Sequence, residues 1–372
     1  MDQIQTSNKS VFLVGALLSL QLYANVYTSY LQSQGLHRSN NIIQILMLIF
    51  RVGIGTVAVI YWKDVEFFLS TQLLSLLISI LILRWVCCRH CGQQNIPLMF
   101  FDGSLLKNNL TFIKVMAATS CVSSLLIASD RILLMWLTDS WSFVQYSLAL
   151  TLANLCSLIV LPFYRVYFPR FTKMCQLKKF SDAQRESIFA TRQLAAVLMP
   201  VSTALYFSCD TVFNIWIGGN HANINSIFKV LNIGMVMAGL LWLPAAYLQA
   251  AGRSGVHLKT MLMSLLVGTV ITYFAIKEYG SIGGGVIWVT HGLTGLMVEF
   301  YLIYGPSLKT VLNNFAKCLV RPTIGSIFVA IGSNLIIQKA LSDLVKLSLI
   351  GVIVIAGMAI SIFPWKINNK NE

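Results

Sequence analysis

Apolar stretches of about twenty residues recur from one end of this 372-residue chain to the other, and that recurrence limits the fold more than any motif. About twenty residues of helix are what a bilayer core of roughly 30 Å requires. No water is present there to satisfy the backbone, so each segment must hydrogen-bond within itself, as a helix does. A membrane barrel would instead show shorter segments of alternating polarity. Charged residues make up 11% of the chain, against roughly 25% in a soluble domain. The reading is an all-α integral membrane protein of about eleven spans. They lie near 10–31, 42–62, 66–87, 110–137, 141–164, 192–217, 227–250, 257–276, 282–304, 317–338 and 344–364.

The formal net charge is +14. The basic residues fall between the apolar runs, and no RNA- or DNA-binding motif accompanies them, so they bear on topology and not on nucleic acid. One alternate set of connections, with the C-terminal tail, outweighs the other in Lys and Arg by about three to one. It includes Arg165, Arg170, Lys173, Lys178 and Lys179. That set is assigned to the cytoplasm, which puts the C-terminus inside and the start of an eleven-span chain outside. An odd number of leading helices absent from this sequence would remove the oddity. The start, "MDQIQTSNKS", is polar and lacks a cleavage pattern.

The connections are short. The longest outer one, "IGGNHANINS" at 217–226, is too small for an enzyme domain. In the longest inner one, 165–191, Ser181 and Gln184 have capping-box spacing and Asp182 suits a first turn, which predicts a short cytoplasmic helix. Residues 96–109, "IPLMFFDGSLLKNN", read as a segment lying in the interface. Pro162, Pro200 and Pro244 fall inside spans and can kink them. "CCRHC" at 87–91 has no second ligand pair downstream and reads as a reduced juxtamembrane segment.

Charge inside the spans points to function. In "LLIASDRILLMWLTD", 125–139, Asp130 and Arg131 interrupt an otherwise apolar run. On a helical projection Ser120, Ser123, Ser124, Asp130 and Arg131 share an arc of about 120°. Such a stripe suits the wall of a water-filled cavity better than a lipid-facing surface. Arg51 stands about nine residues into its span, roughly 14 Å deep. An arginine there costs roughly 2.5–3.5 kcal/mol on insertion scales, so it needs a partner or water. His291 and Glu299, and with less force Asp210 near a span end, complete the candidates. Nothing resembles a nucleophile with a base, a nucleotide loop or a metal motif. Gly283, Gly284 and Gly285 follow no strand and read as a helix opening or a close approach. An enzyme is not expected, and no cofactor.

Several stretches resemble, in order, the polysaccharide flippases of the Wzx type. They are "YLQSQGLHRSNNIIQI" (30–45), "SDRILL" (129–134), "LPFYRVYFPRFTK" (161–173), "NIWIGG" (214–219), "LPAAYLQAAGR" (243–253) and "YGSIGGGVIW" (279–288). That superfamily also includes multidrug and toxic compound exporters and the lipid II flippase. The resemblance implies a two-lobe transporter with an incomplete N-terminal lobe, three leading helices being absent. Residues 1–95 would be the partial lobe, 96–304 a six-helix lobe, and 305–372 two further helices and a cytoplasmic tail. It implies a bacterial inner-membrane protein moving an undecaprenyl-diphosphate-linked oligosaccharide, for O-antigen or another surface polysaccharide. Alternating access between lobes, coupled to a proton or sodium gradient, is the implied mechanism. Membrane lipids and other polysaccharide-assembly proteins are the implied partners. Arg51 and Arg131 are suitable counter-charges for such an anionic cargo. The alternatives are a multidrug exporter of the same fold, whose cargo is cationic, and a truncated, inactive flippase remnant.

Overall fold

The computed structural model describes residues 8–34, 36–62, 64–91, 103–218, 222–304, 308–339 and 341–362. The described residues are helical, with no strand among them. They form two compact units, residues 1–103 and 104–372.

The first unit contains α1 (Asn8–Ser33), α2 (His37–Trp62) and α3 (Val65–Cys91). Ala24, Leu76 and Ile80 form one buried cluster; Leu31, Leu83 and Cys87 form another. Cys87 is thus part of an apolar core, as its small, weakly polar side chain allows. No group of three His, Cys, Asp or Glu able to hold a metal occurs among the described residues.

The second unit begins with α4 (Gly103–Leu137), α5 (Ser140–Ala153), α6 (Leu155–Gln176) and α7 (Phe180–Trp216). It continues with α8 (Ala222–Ala250), α9 (Ser254–Tyr279), α10 (Val286–Tyr304), α11 (Leu308–Ile337) and α12 (Asp343–Ile362). Asp139 caps α5, accepting from the amides of Trp141 and Ser142 at 3.1 and 3.2 Å. Because α5 and α6 meet at Asn154, whose backbone stays in the right-handed helical region, they act as one bent span. α8 is the centre of the unit, packed by α5, α6, α7, α9 and α10. Its Leu231, Leu243, Ala246 and Leu248 are fully buried. α11 and α12 pack on each other and on α7.

Among the described residues, ten continuous helical stretches are long and apolar enough to cross a membrane. One of them, Ser254–Glu299, holds α9, a 3₁₀ turn at Gly280–Gly285 and most of α10. The turn reverses the chain. Gly280 takes φ +60°, a value open to glycine, and a Cβ on Gly283 would lie 2.3 Å from the Ala275 carbonyl. Ser264 then meets Thr294 at 2.6 Å and His257 meets Glu299 at 2.7 Å, an antiparallel register. Taking α9 and α10 as two segments brings the candidates among the described residues to eleven. The chain's outside is apolar, with Trp136 85% exposed and Ile355 69% exposed. A surface of that kind is stable against lipid and not against water.

Two expectations are corrected. The short cytoplasmic helix expected within 165–191 does not exist separately; from Phe180 on, those residues are the first turns of α7, a 37-residue helix about 55 Å long. The connection from α6 is only 177–179, with Lys178 in the left-handed region. Nor does Ser181 cap anything, since Lys179 is the N-cap; Gln184 instead donates to the Ile303 carbonyl at 2.6 Å. The polar stretch expected to form a short helix of its own is therefore helical, but as the continuous start of α7. The expected interfacial segment lies outside the described residues over 96–102, and its remainder opens α4.

Candidate functional site: a cavity in the second unit

A cavity of about 490 Å³ opens among α4, α5–α6, α8, α9 and α10. Ser120, Ser123, Ile127 and Arg131 of α4 line it, recurring every three or four residues as one helical face does. Ser124 lies off that face and is exposed outside the cavity lining. The hydroxyls of Ser120 and Ser123 donate to the backbone at 3.0 and 3.1 Å, so each presents its lone pairs.

Asp130 and Arg131 have separate surroundings. Asp130 turns into the core and is fully buried. Its carboxylate accepts from the Tyr146 hydroxyl at 2.6 Å, the Trp288 indole N–H at 3.1 Å and the Arg131 amide at 2.7 Å. Tyr146 also comes within 3.3 Å of the Gly284 carbonyl. A Cβ on Gly284 would lie 2.8 Å from both Leu134 and Tyr146, so the glycine run in the turn is what admits the tyrosine ring. Asp130 thereby fastens α4 to α5 and to the start of α10.

Arg131 faces the cavity. Its Nη2 donates to the Ile127 carbonyl at 3.1 Å, and its Nε stands 3.8 Å from Asp130 Oδ1 without a hydrogen bond. The Arg131 side chain is 43% exposed, while its Nε is buried. The remaining donors form a positive, planar fork, suited to phosphate or carboxylate.

α10 supplies the opposite wall. Trp288, His291 and Glu299 all line the cavity, over eleven residues or about 16 Å. Glycines set its distance from α8. Cβ atoms on Gly234, Gly292 and Gly295 would lie 2.6, 2.4 and 2.3 Å from Trp288, Met237 and Leu241. Glu299, 1% exposed, pairs through Oε1 with His257 Nδ1 at 2.7 Å. Its Oε2 and the Nδ1 of His291 are buried without a hydrogen-bond partner. Tyr164 and Trp242 stand edge to face, centroids 5.9 Å apart, and line the same space with Gln249.

Arg51 belongs to the first unit. It sits mid-way along α2 and donates through Nε to Gln72 of α3, whose amide nitrogen lies 3.4 Å from the Arg51 carbonyl. A Cβ on Gly55 would fall 2.6 Å from Gln72 Nε2, so that glycine makes room for the pair. Asp210 is held by Asn225 at the start of α8. The structure thus brings Ser120, Arg131, His291 and Glu299 into one cavity, puts Asp130 behind its wall, and leaves Ser124 and Arg51 elsewhere.

Sequence reasoning passed over His257, Tyr146 and Gln72, the partners of Glu299, Asp130 and Arg51. Each is near its partner only in space, and no local spacing marks it. Trp288 was quoted within "YGSIGGGVIW" but not read as a site residue.

The model of the family described as "Polysaccharide biosynthesis protein" matches residues 6–175, from α1 into α6. A search of the curated proteins gives no match. Among solved structures, the chain is similar to the lipid II flippase MurJ in an inward closed conformation, with a TM-score of 0.61 and 14% identity. The similarity covers 84% of this chain and 65% of that one. The chain therefore spans less than two thirds of the flippase it matches, and shares its multi-pass, all-α membrane fold.

Proposed function

We propose that this chain moves a polyprenyl-diphosphate-linked oligosaccharide across the bacterial inner membrane, for O-antigen or a related surface polysaccharide. The observation that carries the reading is Arg131, a partly exposed cation lining a cavity within the second unit. The family description over residues 6–175 and the fold shared with a lipid II flippase support it. The cargo is anionic at its diphosphate, and Arg131 in the second unit and Arg51 in the first would each be a suitable counter-charge for it. Asp130 holds the wall, and Ser120 contributes lone pairs to the polar face. No covalent step is needed, so the chain acts as a transporter and not as an enzyme. His257, His291 and Glu299 are the groups through which a proton or sodium gradient would act. Other surface-polysaccharide assembly proteins would receive the cargo, and the C-terminus would face the cytoplasm.

Complementation tests the reading. A flippase-deletion strain receives the chain alone, and separately with any in-frame coding sequence upstream of Met1. Restored surface polysaccharide in either case supports the assignment. Glycolipid accumulation in both, with the protein inserted and stable, refutes it. One observation favours a second reading, export of cationic compounds: Glu299, which lines the cavity, has a buried carboxylate oxygen without a hydrogen-bond partner. Lowered drug susceptibility without restored polysaccharide would select that alternative.

A further inference from the structure

We propose that the cavity of the second unit is a glycan chamber, taking a short, extended oligosaccharide laid along α10 between His291 and Glu299. This rests on the flippase reading and assigns one part of the cargo to one set of residues.

Two buried polar atoms in the wall have no partner, Glu299 Oε2 and His291 Nδ1. Eight residues of helix separate them, about 12 Å along the axis. One cation cannot bridge that distance, and a cation site requires converging ligands. The other Glu299 oxygen is already taken by His257. An isoprenoid or acyl chain would fill the apolar part but leave both atoms unpaired, which buried polar groups resist.

A row of hydroxyls meets each requirement. A hydroxyl donates to a carboxylate oxygen, and it can donate to or accept from an imidazole nitrogen, so it suits His291 in either tautomer. Gln249 and Asn154, also in the wall, offer amides that both donate and accept. Trp242, Trp288 and Tyr164, in the same lining, give apolar ring surface to the C–H faces of sugar rings. A cavity of about 490 Å³ lies within the range that encloses a compact organic ligand. Arg131 then stands at the Trp288 end, next to the glycan and not among the hydroxyl contacts.

Binding to the full chain in lipid nanodiscs tests this. The probes are undecaprenyl diphosphate, the same lipid with one N-acetylhexosamine, and the same lipid with each of several linear tetrasaccharides. The wild type is expected to bind at least one tetrasaccharide lipid about tenfold more tightly than the bare lipid, as two net hydrogen bonds would give. His291→Leu and Glu299→Ala, each checked for an unchanged unfolding temperature, should bring that ratio to about twofold or less while leaving bare-lipid affinity in place. Trp242→Leu provides a third variant should Glu299→Ala fail to fold. Equal affinity for bare and glycosylated lipids in the wild type would overturn the glycan chamber, and so would variants that weaken both alike. Binding to none of the lipids would instead refute the flippase reading on which it rests.

Discussion

Removing the Asp130 carboxylate should destabilise the second unit through a coupled network, and the coupling can be measured. Asp130 is fully buried and is the acceptor for both the Tyr146 hydroxyl and the Trp288 indole. In Asp130→Ala the tyrosine can still turn to the Gly284 carbonyl, 3.3 Å away, while the indole N–H, which donates to Asp130, loses that acceptor. A buried donor without an acceptor costs about 1–3 kcal/mol. Hydrogen bonds between transmembrane helices average only about 0.6 and reach about 1.7 kcal/mol. Together these put Asp130→Ala at about 2 kcal/mol and Tyr146→Phe at about 1 kcal/mol. In the double variant the tyrosine hydroxyl has already lost its main partner, so Tyr146→Phe should then cost almost nothing. The coupling energy should be about 0.6–1 kcal/mol. Unfolding in mixed micelles, followed by a thiol-reactive dye at the buried Cys156 and Cys209, reads the transition. Strictly additive losses would refute the network. So would Asp130→Ala within about 0.3 kcal/mol of Ser124→Ala, the exposed control.

Other perturbations have signs fixed by the same structure. Gly283→Ala drives a Cβ into the Ala275 backbone at 2.3 Å and should cost about 1–3 kcal/mol or more by loss of the α9–α10 hairpin; Gly15→Ala, with nothing within 4 Å, should be neutral or stabilising in the same unfolding assay. Arg51→Ala should abolish surface polysaccharide without preventing insertion. Arg51→Lys should fail as well, because it loses both the Nε–H donor to Gln72 and the planar fork; normal polysaccharide in either would remove Arg51 from the path. Asp139 is held below the usual carboxylate range by the Ser142 hydroxyl and by the Ser142 and Trp141 amides. A depressed folded-state value means its cap stabilises above the ordinary carboxylate pKa, and that contribution is lost as pH falls through the folded value. Asp139→Asn should flatten that acid limb of an unfolding-against-pH curve; an unchanged limb would contradict the cap.

Span number was legible because apolar run length against bilayer thickness is a one-dimensional test, and every expected run appears as a helix. Arg51 and Arg131 were legible because an arginine in such a run is costly enough to need an explanation. Their partners were not. Tyr146 and Trp288 reach Asp130 from α5 and α10, and His257 reaches Glu299 across the hairpin. Only the fold makes these pairs. Helical projection placed Ser124 beside Ser123 on a polar arc, yet a 100° step is enough to take it out of the cavity. The start of α7 failed for a different reason. Its polar residues signal exposure to water, which the first turns of one long helix satisfy as well as a separate short helix does.

Cargo translocation can be measured directly in proteoliposomes. The reconstituted protein is given fluorescent undecaprenyl-diphosphate oligosaccharide, and a membrane-impermeant quencher reports how much lies in each leaflet. Transfer between leaflets by the wild type, reduced strongly by Arg131→Ala with the protein still folded, is the predicted result. Transfer at the rate of protein-free liposomes, or transfer unaffected by Arg131→Ala, would contradict it.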